Sequence, residues 1–176
     1  MVRRNYAKHL HTHVMIDIET LGTCSDAVVL SIGAVKFTME EKFYTVLNVD
    51  EELKTNAKVS ADTLLWWLDH KEAKDVRMLS DVGSKANYHK LTEFLEFISS
   101  CEYFWSKGIN FDFPILENCL KRYGLEPSWR YYKLRDFRTL DALCDQSVEH
   151  STASHNALED AVAQAKRAVS YLYAEA

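Results

Sequence analysis

Apolar residues in the first fifty positions fall into short, β-branched runs of the kind that form strands. The runs cover residues 14–18, 28–35 and 43–49, and the glycine, serine and aspartate of residues 22–26 are typical of a turn between the first two. Because the links between the three runs are short, the sequence predicts an antiparallel meander.

Apolar residues recur every three or four positions farther along the chain, a spacing that predicts helices with one buried face. These segments are residues 64–68, 91–98, 115–123 and 158–172. Asn156 and Glu159 form a capping-box arrangement before the last segment, and Tyr103–Trp105 predicts a fourth strand. Strands first, then alternating helices and strands, predict an α/β domain in which helices flank a mixed central sheet.

The length and composition narrow the class of protein. A chain of 176 residues, 47% of them hydrophobic, suits one domain, with a core over about residues 13–173. No apolar run approaches the roughly 18 residues of a membrane helix, and residues 1–13 lack the apolar stretch of a secretory signal. The four cysteines are far apart and include no C-x-x-C pair, which favours a reducing compartment. We therefore expect a cytoplasmic protein without a membrane partner.

The basic residues are concentrated in one segment of an acidic chain. The formal net charge is −5, but residues 121–138 carry six basic side chains against two acidic ones. Such a run is either a solvated face or a set of contacts to a phosphate backbone. Three histidines near the N-terminus (His9, His11 and His13) alternate, and we expect them to lie on a solvated arm without a role.

Carboxylates interrupt the first apolar run. Asp17 and Glu19 are two positions apart, so in a strand they point to the same face. Neighbouring carboxylates repel each other unless a cation neutralises them, and hard oxygen ligands suit Mg²⁺ or Mn²⁺. The alternative is an exposed edge strand with an acidic face.

Three further polar residues have both a structural and a chemical interpretation. Asp112 begins a predicted helix, where aspartate commonly caps, although such a residue can also face a site at the strand ends. His155 precedes the last helix and Asp160 lies in its first turns. A histidine on a loop can take a proton from water near neutral pH, but a lone histidine in that position is often incidental.

The three motifs in this order resemble those of the DEDDh exonucleases, members of the DnaQ-like, ribonuclease-H-like superfamily. The resemblance runs from Val14 to about Tyr173 and rests on three segments: residues 17–22, residues 110–112, and His155 through Asp160. It implies a ribonuclease-H-like fold with an antiparallel N-terminal meander. It also implies a 3′→5′ exonuclease in which four acids hold two divalent cations, Mg²⁺ or Mn²⁺, and a histidine activates water. These residues would be Asp17, Glu19, Asp112, Asp160 and His155.

The same resemblance suggests how the 3′ end of DNA or RNA would be held. Thr20, Leu21 and Gly22 would border the terminal nucleotide, Phe111 and either Trp66 or Trp67 would stack on bases, and Arg138 would contact a phosphate. The product would be a nucleoside 5′-monophosphate. Related enzymes are often dimers, so a homodimer is a candidate assembly.

One departure narrows the branch of the family. Proofreading members usually carry a His-Asn pair shortly before the second motif, where this chain has Lys107-Gly108. The chain therefore looks more like the stand-alone branch that contains phage-type DNA exonucleases and Rv2179c-like exoribonucleases. Two alternatives are a polymerase-associated proofreading subunit and a catalytically silent nucleic-acid-binding module on the same fold.

Overall fold

A computed structural model describes residues 6–69, 85–144 and 155–173. Its sheet contains the strands β1 (His13–Thr20), β2 (Val29–Lys36), β3 (Lys42–Val46), β4 (Tyr103–Ser106) and β5 (Leu134–Asp136). Its α-helices are α1 (Val49–Lys54), α2 (Ala61–Asp69), α3 (Asn87–Ile98), α4 (Asp112–Arg122), α5 (Phe137–Cys144) and α6 (Ala157–Tyr173). In these ranges, every helix is too short or too polar to cross a membrane.

The five strands form one mixed sheet in the order β3-β2-β1-β4-β5. β1, β2 and β3 pair antiparallel, as the short links between their apolar runs predict. β4 lies parallel to β1, and β5 lies parallel to β4. The mixed sheet with flanking helices confirms the predicted α/β class and agrees with a ribonuclease-H-like fold.

Alternating side chains of β1 divide the interior between the two faces of the sheet. Val14, Ile16 and Ile18 belong to the larger core, which includes residues of α3 and α4. Met15 belongs to a second core formed with residues of α5 and α6. Because strand side chains alternate, Asp17 and Glu19 share the face of Met15, on the side of the sheet that α6 covers.

Helix α6 packs very closely on β2. Its buried face carries four alanines: Ala157, Ala161, Ala165 and Ala168. At Gly33 of β2 the approach is closest, since an added Cβ would lie 2.2 Å from the backbone carbon of Ala157. Gly33 is also the register partner of Asp17 on β1. The start of α6 is therefore held over the Asp17–Gly33 pair.

The structure differs from the predicted elements in three places. The third strand ends at Val46, and Val49 begins α1, because Asn48 caps that helix by accepting from the Glu51 N–H at 3.1 Å. Strand β5 and most of α5 lie where the sequence shows a basic run and a stretch without clear periodicity. Tyr6–Thr12 form a 3₁₀ helix in the segment for which a solvated arm was expected.

His13 is the residue for which the expectation of a solvated arm is wrong. It is the first residue of β1, and its Nδ1 accepts a hydrogen bond from the Trp105 indole at 3.0 Å. Burial, together with the nearby Arg135 charge, lowers the pKa of His13 to about 4. The neutral ring is therefore part of the packing between β1 and β4.

Candidate active site

The first two predicted acids project from β1 toward the start of α6. Oxygen atoms of Asp17, Glu19 and Asp160 can all lie within 4.8 Å of one another. Two of these acids come from the first strand and the third from the helix that lies across it. The predicted juxtaposition of the first and third motifs is thus present in the fold.

Local interactions fix the start of α6. Asn156 caps the helix as predicted, since its Oδ1 accepts from the Glu159 N–H at 3.0 Å. His155 precedes the cap with a φ of +52°, in the left-handed region. Asp160 follows in the first turn, where the positive end of the helix dipole favours a carboxylate. His155 therefore lies directly before the capping residue Asn156 in the sequence, and Asp160 lies four residues after it.

The fourth acid comes from the other face of the sheet. Asp112 is the first residue of α4, and the N-cap position belongs to Phe111 rather than to Asp112. Its side chain is only 5% exposed, and it lines the same cavity as Asp17, Glu19, Asp160 and His155.

Burial raises the pKa of two of these acids, Asp17 and Asp112. The pKa of Asp17 is raised well above its usual range, first by burial and then by the nearby Asp112 and Glu19 carboxylates. Burial also raises the pKa of Asp112 to about 7. Desolvated neighbouring carboxylates of this kind are stabilised either by protonation or by a cation. Their oxygen donors fit a hard divalent cation such as Mg²⁺ or Mn²⁺.

The cavity in front of the acids has a volume of about 420 Å³ and both aromatic and basic walls. Phe111, Lys107 and Arg138 line it together with His155. The Arg138 side chain is anchored at the rim, where its Nη2 donates to the Lys107 carbonyl at 3.0 Å. The cavity therefore has an apolar surface at Phe111 and positive charge at Lys107 and Arg138, and both lie beside the acids.

The two adjacent tryptophans of α2 have different surroundings. Trp67 is 3% exposed and its indole donates to the Thr20 carbonyl at 2.9 Å. Trp66 is 38% exposed and meets the His155 ring edge-on, with the ring centroids 4.7 Å apart. Trp66 is therefore the tryptophan on the surface beside His155, and Trp67 anchors α2 to the end of β1.

Thr20, Leu21 and Gly22 follow Glu19 directly, but they contribute to packing rather than to the cavity lining. The Thr20 hydroxyl donates to the Gly22 carbonyl at 2.6 Å. Leu21 is 4% exposed and packs with Trp67 in a small separate core. Their predicted contact with a terminal nucleotide stays a prediction.

The basic side chains of residues 121–138 have different roles. Arg122 forms an ion pair with the fully buried Glu52 at 2.8 Å, and both Lys133 and Arg135 lie over the Tyr103 ring. Of the six basic residues in the run, Arg138 is the one that lines the cavity. Much of this run is therefore engaged in packing within the protein.

Two residues that lie beside the acids are absent from the sequence predictions. Gly33 permits the close approach of α6, and a glycine inside a strand is a signal of such an approach. Gln164 donates its Nε2–H to Asp17 Oδ1 at 2.8 Å. In the sequence, Gln164 could have been found because it is a polar residue four positions after Asp160, a spacing that places both on one side of the helix.

Comparison with protein families matches residues 12–172 to the 3′-5′ exoribonuclease Rv2179c-like domain. Among curated proteins no match is found. The family match covers all three motifs and confirms the resemblance to that branch of exonucleases.

Proposed function

The chain belongs to the 3′-5′ exoribonuclease Rv2179c-like family, and on that premise we propose that it is a metal-dependent exonuclease that shortens RNA from the 3′ end. The observation that carries the proposal is the meeting of Asp17, Glu19 and Asp160 within 4.8 Å. Asp112 and His155 line the same cavity, so all five residues of the DEDDh pattern are gathered at one place.

Asp17, Glu19, Asp112 and Asp160 would hold two divalent cations, Mg²⁺ or Mn²⁺. The fit rests on the donor set, since the four carboxylates line one cavity and oxygen atoms of Asp17, Glu19 and Asp160 lie within 4.8 Å of one another. Burial raises the pKa of Asp17 and Asp112, and a bound cation would stabilise their charged forms. When bound, such cations offset the carboxylate charge, polarise the phosphate and stabilise the oxygen that leaves. The acids would keep the formal charge of the loaded site near neutral, since four carboxylates balance two divalent cations.

His155 would act as the general base. It lies on the cavity wall, and its ring is held edge-on against Trp66. In the reaction, the imidazole takes a proton from the water that attacks phosphorus. The bond from phosphorus to the 3′ oxygen of the preceding nucleotide breaks, and that oxygen takes up a proton from solvent. The products are a nucleoside 5′-monophosphate and a shortened strand with a new 3′ hydroxyl.

The cavity walls would bind the end of the strand. Phe111 offers an aromatic surface for a base, and base–aromatic stacking is worth about 1–3 kcal/mol without sequence preference. Arg138 places positive charge at the rim, where a backbone phosphate would lie. Trp66, exposed beside His155, is a second stacking surface. RNA is the proposed substrate because the family is one of exoribonucleases, and DNA of the same sequence is the comparison.

The test is digestion of 5′-labelled RNA and DNA oligonucleotides, single-stranded and duplex, with Mg²⁺, Mn²⁺ or EDTA. We expect a ladder that shortens from the 3′ end, faster on RNA, and abolished by EDTA. Asp17→Asn, which removes one ligand charge and keeps the shape, should abolish cleavage.

Glu96→Gln, an exposed acid on α3 outside the cavity, is the matched control and should cleave like the wild type. A folded, metal-loaded protein that cleaves none of the oligonucleotides would contradict the proposal and favour a silent nucleic-acid-binding module. Cleavage that persists in Asp17→Asn would mean that the acids described above are not the catalytic site.

A further inference from the structure

Gln164 lies on the buried face of α6 and contacts the acidic cluster (Asp17, Glu19 and Asp160) through Asp17. It is 8% exposed, and its amide donates to Asp17 Oδ1 at 2.8 Å. It lies four residues after Asp160, so both side chains point from the same side of the helix toward β1. Gln164 also lines the cavity that contains the four acids.

Packing alone does not account for a glutamine here. Its Oε1 is buried and has no hydrogen-bond partner among the described residues. The other buried residues of α6 are all alanines. An apolar side chain of similar length would fill the same space without an unpaired buried acceptor, which normally lowers stability.

We propose that Gln164 is a positioning residue that orients the Asp17 carboxylate for the cation, an inference that rests on the proposed function. By holding one carboxylate oxygen, the amide limits rotation of the Asp17 side chain and leaves the other oxygen available as a ligand. A neutral donor suits this task, because a lysine or arginine in its place would repel the cation. Hydrogen-bond partners of ligating carboxylates typically act in this way.

The test compares Mn²⁺ binding by calorimetry in the wild type and in Gln164→Met, which keeps the length and the helix propensity but removes the donor. We expect Mn²⁺ affinity to fall by about 10–100-fold, the usual effect of losing such a partner. Thermal unfolding without metal should change little, because the variant loses the unpaired Oε1 but also leaves Asp17 Oδ1 without its donor, and these two effects oppose each other. RNA cleavage should recover as Mn²⁺ is raised.

Two further variants separate positioning from a general loss of stability. Val169→Ala trims a partly buried residue of α6 that packs in the second core, and it should unfold at a lower temperature with unchanged Mn²⁺ affinity. Gln164→Asn keeps the amide but is too short to reach Asp17, so it should weaken Mn²⁺ binding like Gln164→Met and answers the question if the methionine variant does not fold.

Mn²⁺ affinity within two-fold of the wild type in these Gln164 variants would overturn the inference, as would a wild type that binds no Mn²⁺. A wild type that binds Mn²⁺ but leaves RNA intact would instead refute the proposed activity. In that case the affinity comparison would still decide the role of Gln164.

Discussion

Gly33→Ala tests whether the acidic cluster depends on how closely α6 packs on β2. An added Cβ at this position would lie 2.2 Å from the backbone carbon of Ala157 and 2.3 Å from the backbone nitrogen of Leu158. Non-bonded carbons at their best separation are about 3.5–4.0 Å apart. Both neighbours are helix backbone, which cannot rotate away as a side chain could. We therefore expect the start of α6 to move outward by roughly 1.3–1.8 Å.

That displacement would lower both activity and stability. Asp160 moves with α6, whereas Asp17 and Glu19 stay on β1, so the cluster opens. A misplacement of about 1 Å at reacting groups costs about 100-fold in rate. Overpacking costs about 1–3 kcal/mol of unfolding free energy, and for a chain of this size each kcal/mol lowers the Tm by about 2–4 °C.

The assay is cleavage of 5′-labelled RNA at 20 °C with excess Mn²⁺, alongside thermal unfolding. Ile32→Val is the matched control, because Ile32 is fully buried on β2 but belongs to the core on the opposite face. It should cost about 0.5–1.5 kcal/mol and retain activity. If folded Gly33→Ala cleaves RNA within three-fold of the wild-type rate, the dependence on helix packing is refuted.

Three further predictions concern individual side chains. Asparagine tolerates the left-handed backbone at position 155, and His155→Asn should lower kcat by about 10²–10⁴ with little change in KM. Near-wild-type turnover would exclude His155 as the base. Arg138→Ala should raise KM for RNA about tenfold and reduce the salt dependence of binding, whereas Arg130→Ala, exposed and outside the cavity, should do neither. Because folding lowers the pKa of His13 from 6.5 to about 4, the unfolded chain binds the extra proton between these values. The contribution of the neutral His13 ring to the free energy of unfolding is thus complete above pH 6.5, and it is lost as the pH falls to 4. His13→Gln keeps an acceptor for Trp105 and should flatten the pH dependence of Tm relative to the wild type, and an unchanged slope would contradict the assignment.

The parts of the fold that follow from local pattern could be predicted from the sequence. Alternation along β1 places Asp17 and Glu19 on one face, and the Asn156 cap fixes where α6 begins. Both are properties of a few neighbouring residues. The short strand β5 could not be found in this way, because two of its three residues are Arg135 and Asp136, and its pairing with β4 depends on the rest of the sheet.

Features that depend on distant contacts needed the structure. Trp66 and Trp67 are adjacent on one helix, and only the docking of α2 against Thr20 decides which is buried. The basic run looked like a single surface, yet the structure assigns Arg122 to an ion pair with Glu52, far away in the chain. Gly33 is a similar case, since its importance comes from a helix more than a hundred residues later.

The site residues of β1 and those of α6 are far apart in the sequence, and this separation has a consequence for synthesis of the protein. Asp17 and Gln164 are 147 positions apart, so a ribosome adding about 5–20 residues per second needs about 7–30 seconds between them. Until α6 has emerged, the nascent chain has at most Asp17, Glu19 and Asp112 of the four acids, and it lacks the α6 residue Asp160. On the proposed function, the chain would stay inactive until α6 packs across β1 late in translation.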